Sequence, residues 1–122
     1  MSQIRVLLVD DEKLVLNSLR RLLARSDFDV STASSGAEAL AMLETVTVDL
    51  IVSDYMMPGM NGVEFLEQVA PRWPDVRRCM LTAQADKETL ERALATGLLH
   101  HAWNKPWDNQ KLVRDITAAA AV

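Results

Sequence analysis

Apolar residues fall along this chain in two alternating kinds of block. Short runs such as IRVLLV, DLIVSD and RRCMLTA carry an unbroken apolar centre (VLLV, LIV and CML), which is expected of parallel strands covered on both faces. Between them lie longer segments whose apolar residues recur every three or four positions, as on a helix with one face against a sheet. In the first of these, Val15, Leu19, Leu22 and Leu23 form one stripe. FDVSTA and HAWN read as two further, shorter strands. The alternation predicts five strand–helix units and an α/β class.

Capping chemistry marks where several helices begin. Ser35 with Glu38 reads as a capping box, and Asn61 with Glu64 as another. Asp86 is placed to cap the fourth helix, which should stop at Gly97, and Asp108 to cap the fifth. Pro71 and Pro74 are expected to end the third. Right-handed crossovers leave few ways to close five parallel strands. The favoured result is a doubly wound sheet in the order 2-1-3-4-5 with helices on both faces. Ligands of such sheets bind beyond the carboxyl ends of the strands, where the order reverses.

Composition narrows the classes without changing this picture. The chain has 122 residues, 49% of them apolar and 25% charged, so one domain spanning 1–122 with its own core is expected. No internal repeat or low-complexity linker divides it, and the closing AAAAV carries no signal. A formal net charge of -4 argues against direct nucleic-acid binding. Arg20, Arg21 and Arg25 cluster, but a solvated helix face accounts for them. Cys79 is the single cysteine and lies in an apolar run, the setting of a small buried thiol, consistent with a reducing compartment. No run reaches the roughly 18 apolar residues of a membrane span, and MSQIRVLL lacks a basic leader, so a cytoplasmic location is expected.

The chemistry gathers at the predicted strand ends. Asp10 and Asp11 end the first strand, Asp54 the third and Thr82 the fourth, while Lys105 follows the fifth. Carboxylates meeting at one edge repel one another unless a cation sits between them. Oxygen ligands without a Cys/His cluster favour Mg2+, which commonly takes one or two carboxylates plus phosphate oxygens. A carboxylate so neutralised can attack phosphorus, with Lys105 and the Thr82 hydroxyl meeting the phosphoryl oxygens. Each residue also has a plainer reading: a helix cap for Asp10 and Asp11, a turn for Asp54, a strand-end hydroxyl for Thr82, a solvated charge for Lys105. Only the set, falling on the ends of four strands, carries weight.

The segments VLLVDDE, DLIVSDYMMPGMNG, MLTA and KPW resemble the receiver domain of two-component response regulators, and the resemblance covers essentially the whole chain. It implies the flavodoxin-like, CheY-like fold. It further implies that Asp54 accepts a phosphoryl group from a sensor histidine kinase or phosphotransfer protein. Asp11 and Asp54 would bind Mg2+ directly, Asp10 would help partly through water, and the backbone carbonyl of Met56 would complete the protein ligands. Thr82 and Lys105 would hold the phosphoryl oxygens, and Lys105–Pro106 would be a cis peptide. The implied chemistry is confined to the chain's own phosphorylation and dephosphorylation. It would switch an output domain or partner through the face of helix four, strand five and helix five, with homodimerisation left open.

The bend after Asp54 has its own logic, since Pro58, Gly59 and Gly62 permit a tight loop that brings a carbonyl toward a metal. Met56, Met57 and Met60 there either cover the strand end or touch a partner, the covering role being favoured. Met56 and Gln84 would flank the route of an attacking water, with no lifetime implied.

The chain departs from the family pattern at Ala102, where many receivers carry an aromatic residue. Trp103, one position on, should point to the opposite face. The tryptophans read first as packing residues, and second as reporters, with His101, of an inward movement of Thr82. Adjacent His100 and His101 face opposite ways and form no ready chelate. KPWDN resembles receivers joined to cyclic-dinucleotide phosphodiesterase or other signalling outputs more than DNA-binding ones.

Other functions fit less well. An aspartyl-nucleophile phosphatase needs a second Asp where Met56 stands, and a mononucleotide binder needs a Gly/Ser/Thr-rich loop where Asp-Asp-Glu would repel phosphate. A pseudo-receiver interaction module would normally have lost part of the set.

Overall fold

A computed structural model describes residues 3–83 and 87–121. In chain order the elements are β1 (Arg5–Val9), α1 (Lys13–Arg25), β2 (Asp29–Ala33), α2 (Gly36–Leu43), β3 (Leu50–Ser53), α3 (Gly62–Arg72), β4 (Arg77–Thr82), α4 (Lys87–Ala95), β5 (His101–Asn104) and α5 (Asn109–Ala120). The five strands form one parallel sheet in the order β2-β1-β3-β4-β5. The doubly wound fold expected from the sequence is therefore the one observed.

The continuous apolar runs are explained by burial on both sides. Leu7, Val9, Ile51 and Met80 face a core completed by Ala39, Phe65, Leu66, Val69 and Ala93 of α2, α3 and α4. The intervening Val6, Leu8, Leu50, Val52, Cys79 and Leu81 face α1 and α5 through Leu16, Leu19, Leu23, Leu112 and Ile116. A leucine as fully covered as Leu23 stabilises the fold by about 2–3 kcal/mol relative to an exposed one. Cys79 is completely buried, and that burial pushes its thiol up to about 12, so it packs as a small apolar side chain.

Three local expectations are corrected in detail. The buried stripe of α1 is Leu16, Leu19 and Leu23, with Val15 and Leu22 partly covered beside it; the stripe is turned toward Leu16 relative to the sequence reading. At α2, Ser35 caps Glu38 N–H as expected, but the Glu38 carboxylate accepts from Ser34 N–H rather than returning to Ser35. The α3 box, Asn61 with Glu64, is complete. Helix α3 runs through Pro71 to Arg72, because a proline in the last turn removes only one intrahelical donor and the chain recovers with Trp73 N–H on the Val69 carbonyl. The expected cap of α4, Asp86, lies outside the described residues, while Gly97 follows that helix with a positive φ of 81°.

Candidate functional site at the carboxyl ends of the strands

Strand register brings the first two acids together. Val9 pairs with Ser53, and the Asp54 N–H donates to the Val9 carbonyl at 2.9 Å, so Asp10 and Asp54 leave adjacent strands at the same level. Both are buried, at 3% and 6% exposure, which for ionisable side chains requires partners. On the far side of the sheet order, Thr82 pairs with Asn104, and the buried Thr82 gives its carbonyl to Lys105 N–H at 3.2 Å. Lys105 therefore starts its side chain at the same edge. The Lys105–Pro106 peptide is cis, as the resemblance implied.

The Lys105 ammonium spans the edge. Its Nζ lies 2.8 Å from Asp10 Oδ2, 3.2 Å from Asp54 Oδ2 and 3.6 Å from Glu12 Oε1. The second oxygen of each buried acid is held by the backbone. Asp10 Oδ1 accepts from Glu12 N–H at 2.9 Å, and Asp54 Oδ1 from Tyr55 N–H at 2.8 Å. Burial, with the charge of Asp54 behind it, raises the Asp10 pKa despite the opposing pull of Lys105 and the Glu12 N–H. Burial acts on Lys105 in the lowering direction, but Asp10 and Asp54 together outweigh it, and the ammonium is held more firmly charged.

The carboxylate cluster differs from the expected one in a single member. Oxygens of Asp10, Glu12 and Asp54 lie within 4.8 Å of one another, whereas Asp11 is exposed and outside this group. The turn stapled by Asp10 Oδ1 to Glu12 N–H brings Glu12 back over the edge and leaves Asp11 toward solvent. The sequence signal for Glu12 was present in the run Asp10-Asp11-Glu12, but the reading stopped at its first two members. All three donors are oxygen and each is a carboxylate, which suits a hard divalent cation such as Mg2+.

Behind Asp54 the loop is held by close approach. Gly62 N–H donates to the Tyr55 carbonyl at 2.8 Å, and a β-carbon on Gly62 would collide with the Asp54 carbonyl oxygen and lie 2.9 Å from Met80 Cε. Only glycine lets the start of α3 rest on the backbone of Asp54. The Ser53 hydroxyl donates to the same carbonyl at 2.8 Å. Gly59 turns the loop with φ of 83°. Met57 is buried and Met60 packs on the core, so these two cover the strand end, while Met56 is 55% exposed. Gln84 lies outside the described residues.

Ala102 and Trp103 do face opposite sides. Ala102 packs with the α3 and α4 core, and Trp103 with the α1 and α5 core, where its Nε1–H donates to Asp115 Oδ2 at 3.0 Å. The His101 ring lies 4.5 Å from that of Trp103, and His100 Nδ1 accepts from Arg78 N–H at 2.9 Å. The two histidines thus have separate neighbours and form no chelate with each other.

Relatives agree with this geometry. A family profile described as the response regulator receiver domain matches residues 6–117. Hydrogenase transcriptional regulatory protein HoxA of Cupriavidus necator is 37% identical over 117 residues, 96% of this chain, which spans about a quarter (24%) of that relative. The signal receiver domain of an HD domain-containing protein from Pseudomonas fluorescens Pf-5 superposes with a TM-score of 0.92 at 28% identity, covering 98% of this chain and 96% of that one. Response regulator protein TrrA of Thermotoga maritima, solved in complex with Mg2+-BeF, gives a TM-score of 0.85 at 25% identity, covering 96% and 99%. Doubly wound order, an acid-lined edge and a profile match over nearly all the described residues lead to one conclusion: the chain belongs to the response regulator receiver domain family of two-component signalling.

Proposed function

We propose that residues 1–122 act as one phosphoacceptor domain in which Asp54 takes a phosphoryl group from the phosphohistidine of a sensor histidine kinase or phosphotransfer protein. The observation that carries this reading is the Lys105 ammonium shared between buried Asp10 and Asp54 at the ends of adjacent strands. An Asp54 carboxylate oxygen attacks phosphorus, the bond from phosphorus to the donor's imidazole nitrogen breaks, and that nitrogen leaves with the electron pair. The phosphoryl oxygens then take Lys105 as an ion-pair partner and the Thr82 hydroxyl as a donor. Asp10 and Asp54, with Glu12 in reach, would hold Mg2+; Asp11 and the Met56 carbonyl complete the set that family resemblance assigns. When bound, the ion offsets carboxylate charge and orients the phosphoryl oxygens. TrrA, solved with Mg2+-BeF, supports carrying this chemistry over.

Acyl phosphate formation removes an Asp54 contact from Lys105 and adds charge at the edge, biasing the surface of α4, β5 and α5 toward one arrangement that an output domain or partner reads. The domain is a switch rather than a turnover enzyme and acts in the cytoplasm. It does not itself bind nucleic acid, and homodimer formation is one way its output surface could be used. Among the described residues no helix is long and apolar enough to cross a membrane.

The test is intact mass after incubation with Mg2+ and a small-molecule phosphodonor. One added phosphoryl group is expected, absent from Asp54→Asn and from metal-free samples. An unmodified chain under conditions that label another receiver would sink the reading.

A further inference from the structure

His101 and Trp103 lie two positions apart on β5 and therefore on the same face, the one covered by α5. Trp103 is fixed there, being buried and donating its Nε1–H to Asp115 Oδ2 at 3.0 Å. The same oxygen takes the Lys111 ammonium at 2.9 Å from one turn earlier on α5. His101 is the third group directed at it, with Nε2 at 3.8 Å, inside ion-pair range but beyond a hydrogen bond. Its side chain is 41% exposed, so solvent protons reach it, and its ring lies 4.5 Å from the Trp103 indole, tilted by 43°. Lys111, then Trp103, and in lesser part the charge of His101 hold the Asp115 carboxyl below the usual carboxylate range, so it stays ionised while a histidine gains or loses its proton.

We propose that His101 is a proton-sensitive latch between β5 and α5: taking a proton from solvent, its imidazolium closes on Asp115 and draws the edge strand against the helix. Histidine is the side chain whose charge ordinarily changes between about pH 5 and about pH 8. The neutral ring offers Asp115 no charge and, at this distance, no hydrogen bond, whereas the imidazolium has both N–H groups to donate and an ionised acceptor in reach. A cation is also attracted to the indole beside it. Two cations work against closure, Lys111 already on Asp115 and Arg77 of β4 across a hollow lined by His100, Ala118 and Ala119, so the latch is modest. Cys79, opposite His101 in the β4 register, stays a buried thiol and takes no part. His100 behaves differently: its Nδ1 accepts the Arg78 N–H and its Nε2 lies 3.5 Å from Arg77, while burial and then the charges of Arg78 and Arg77 favour its neutral form. Because β5 and α5 belong to the surface proposed for output, the consequence, partner engagement that changes with pH, rests on that reading. The latch does not, since it forms in the unphosphorylated protein.

The test is a double-mutant cycle of His101→Gln and Asp115→Asn, read by urea denaturation of the unphosphorylated protein at about pH 5.5 and about pH 8. A coupling of about twofold to fivefold in the folding equilibrium is expected at the lower pH and none at the higher. In parallel, the Trp103 indole N–H resonance, assigned by its loss in Trp103→Phe, should shift with pH in the parent and in His100→Asn but not in His101→Gln. Labelling of Asp54 by a small-molecule donor should match the parent in His101→Gln and Asp115→Asn, and a parent that fails to label would sink the phosphoacceptor reading while leaving the latch standing. Additive effects at both pH values, equal coupling at both, or a Trp103 titration that persists in His101→Gln would each overturn the proposal.

Discussion

At the carboxyl ends of the strands Lys105 is shared by three carboxylates, whereas at the amino ends the buried Arg78 meets backbone carbonyls alone. Arg78 Nε donates to Leu98 at 2.7 Å, Nη1 to Val76 at 3.1 Å and Pro74 at 3.4 Å, and Nη2 to Gly97 at 3.3 Å. The chain reversals entering β4 and β5 are thereby tied to one side chain. The neighbouring Arg5 and Asp49 pair across strand starts at the surface. One end uses charge to close loops, its guanidinium donors placed on backbone carbonyls or on one surface carboxylate. At the other, acids outnumber the cation that holds them, an arrangement poorly suited to stability and well suited to receiving a phosphoryl group with its metal.

The largest test of that contrast is Arg78→Met. Removing the guanidinium leaves its carbonyl acceptors without their donor and should cost about 3 kcal/mol in urea denaturation, while the folded protein still labels at Asp54. Loss of labelling at full stability would reverse the roles assigned to the two ends. Smaller, and opposite in sign, is Asp10→Asn. It deletes a buried charge that its surroundings disfavour, so stability should hold or rise by up to about 1 kcal/mol while Mg2+-dependent labelling slows. A substantial drop in stability would mean that Asp10 holds its end together as Arg78 holds the other.

The smallest effect is a pH dependence at the amino end. Burial, followed by the charges of Arg78 and Arg77, lowers the His100 pKa, and its Nδ1 accepts the Arg78 N–H. The unfolded chain therefore takes up this proton first as pH falls below about 6.5. The stability owed to neutral His100 is present above that value and is lost as pH falls toward the folded value. Thermal transitions of the parent should decline more between about pH 7 and about pH 5 than those of His100→Asn. Parallel declines would remove His100 from the account.

What was legible in the sequence follows from what is local. Strands buried on both faces must be apolar through their centre, so IRVLLV and DLIVSD announced themselves, and Ser35, Asn61 and Asp108 cap helices because a helix start exposes N–H groups whatever surrounds it. The placement of Asp10, Asp54, Thr82 and Lys105 at strand ends needed only those runs and their boundaries. Tertiary structure decided what depends on distance between remote segments. It selected Glu12 rather than Asp11 beside Lys105, because a side-chain hydrogen bond within one turn rotates the pair. It made Gly62 indispensable through contact with Asp54 rather than through loop flexibility. It turned Arg78 from one of two like residues in RRCMLTA into the clamp of the amino end, and it brought Trp103 and His101 of β5 to one oxygen of Asp115. Periodicity specifies which face of an element is covered, but charge pairing is set by side-chain reach across the packed fold, and a linear pattern does not contain those distances.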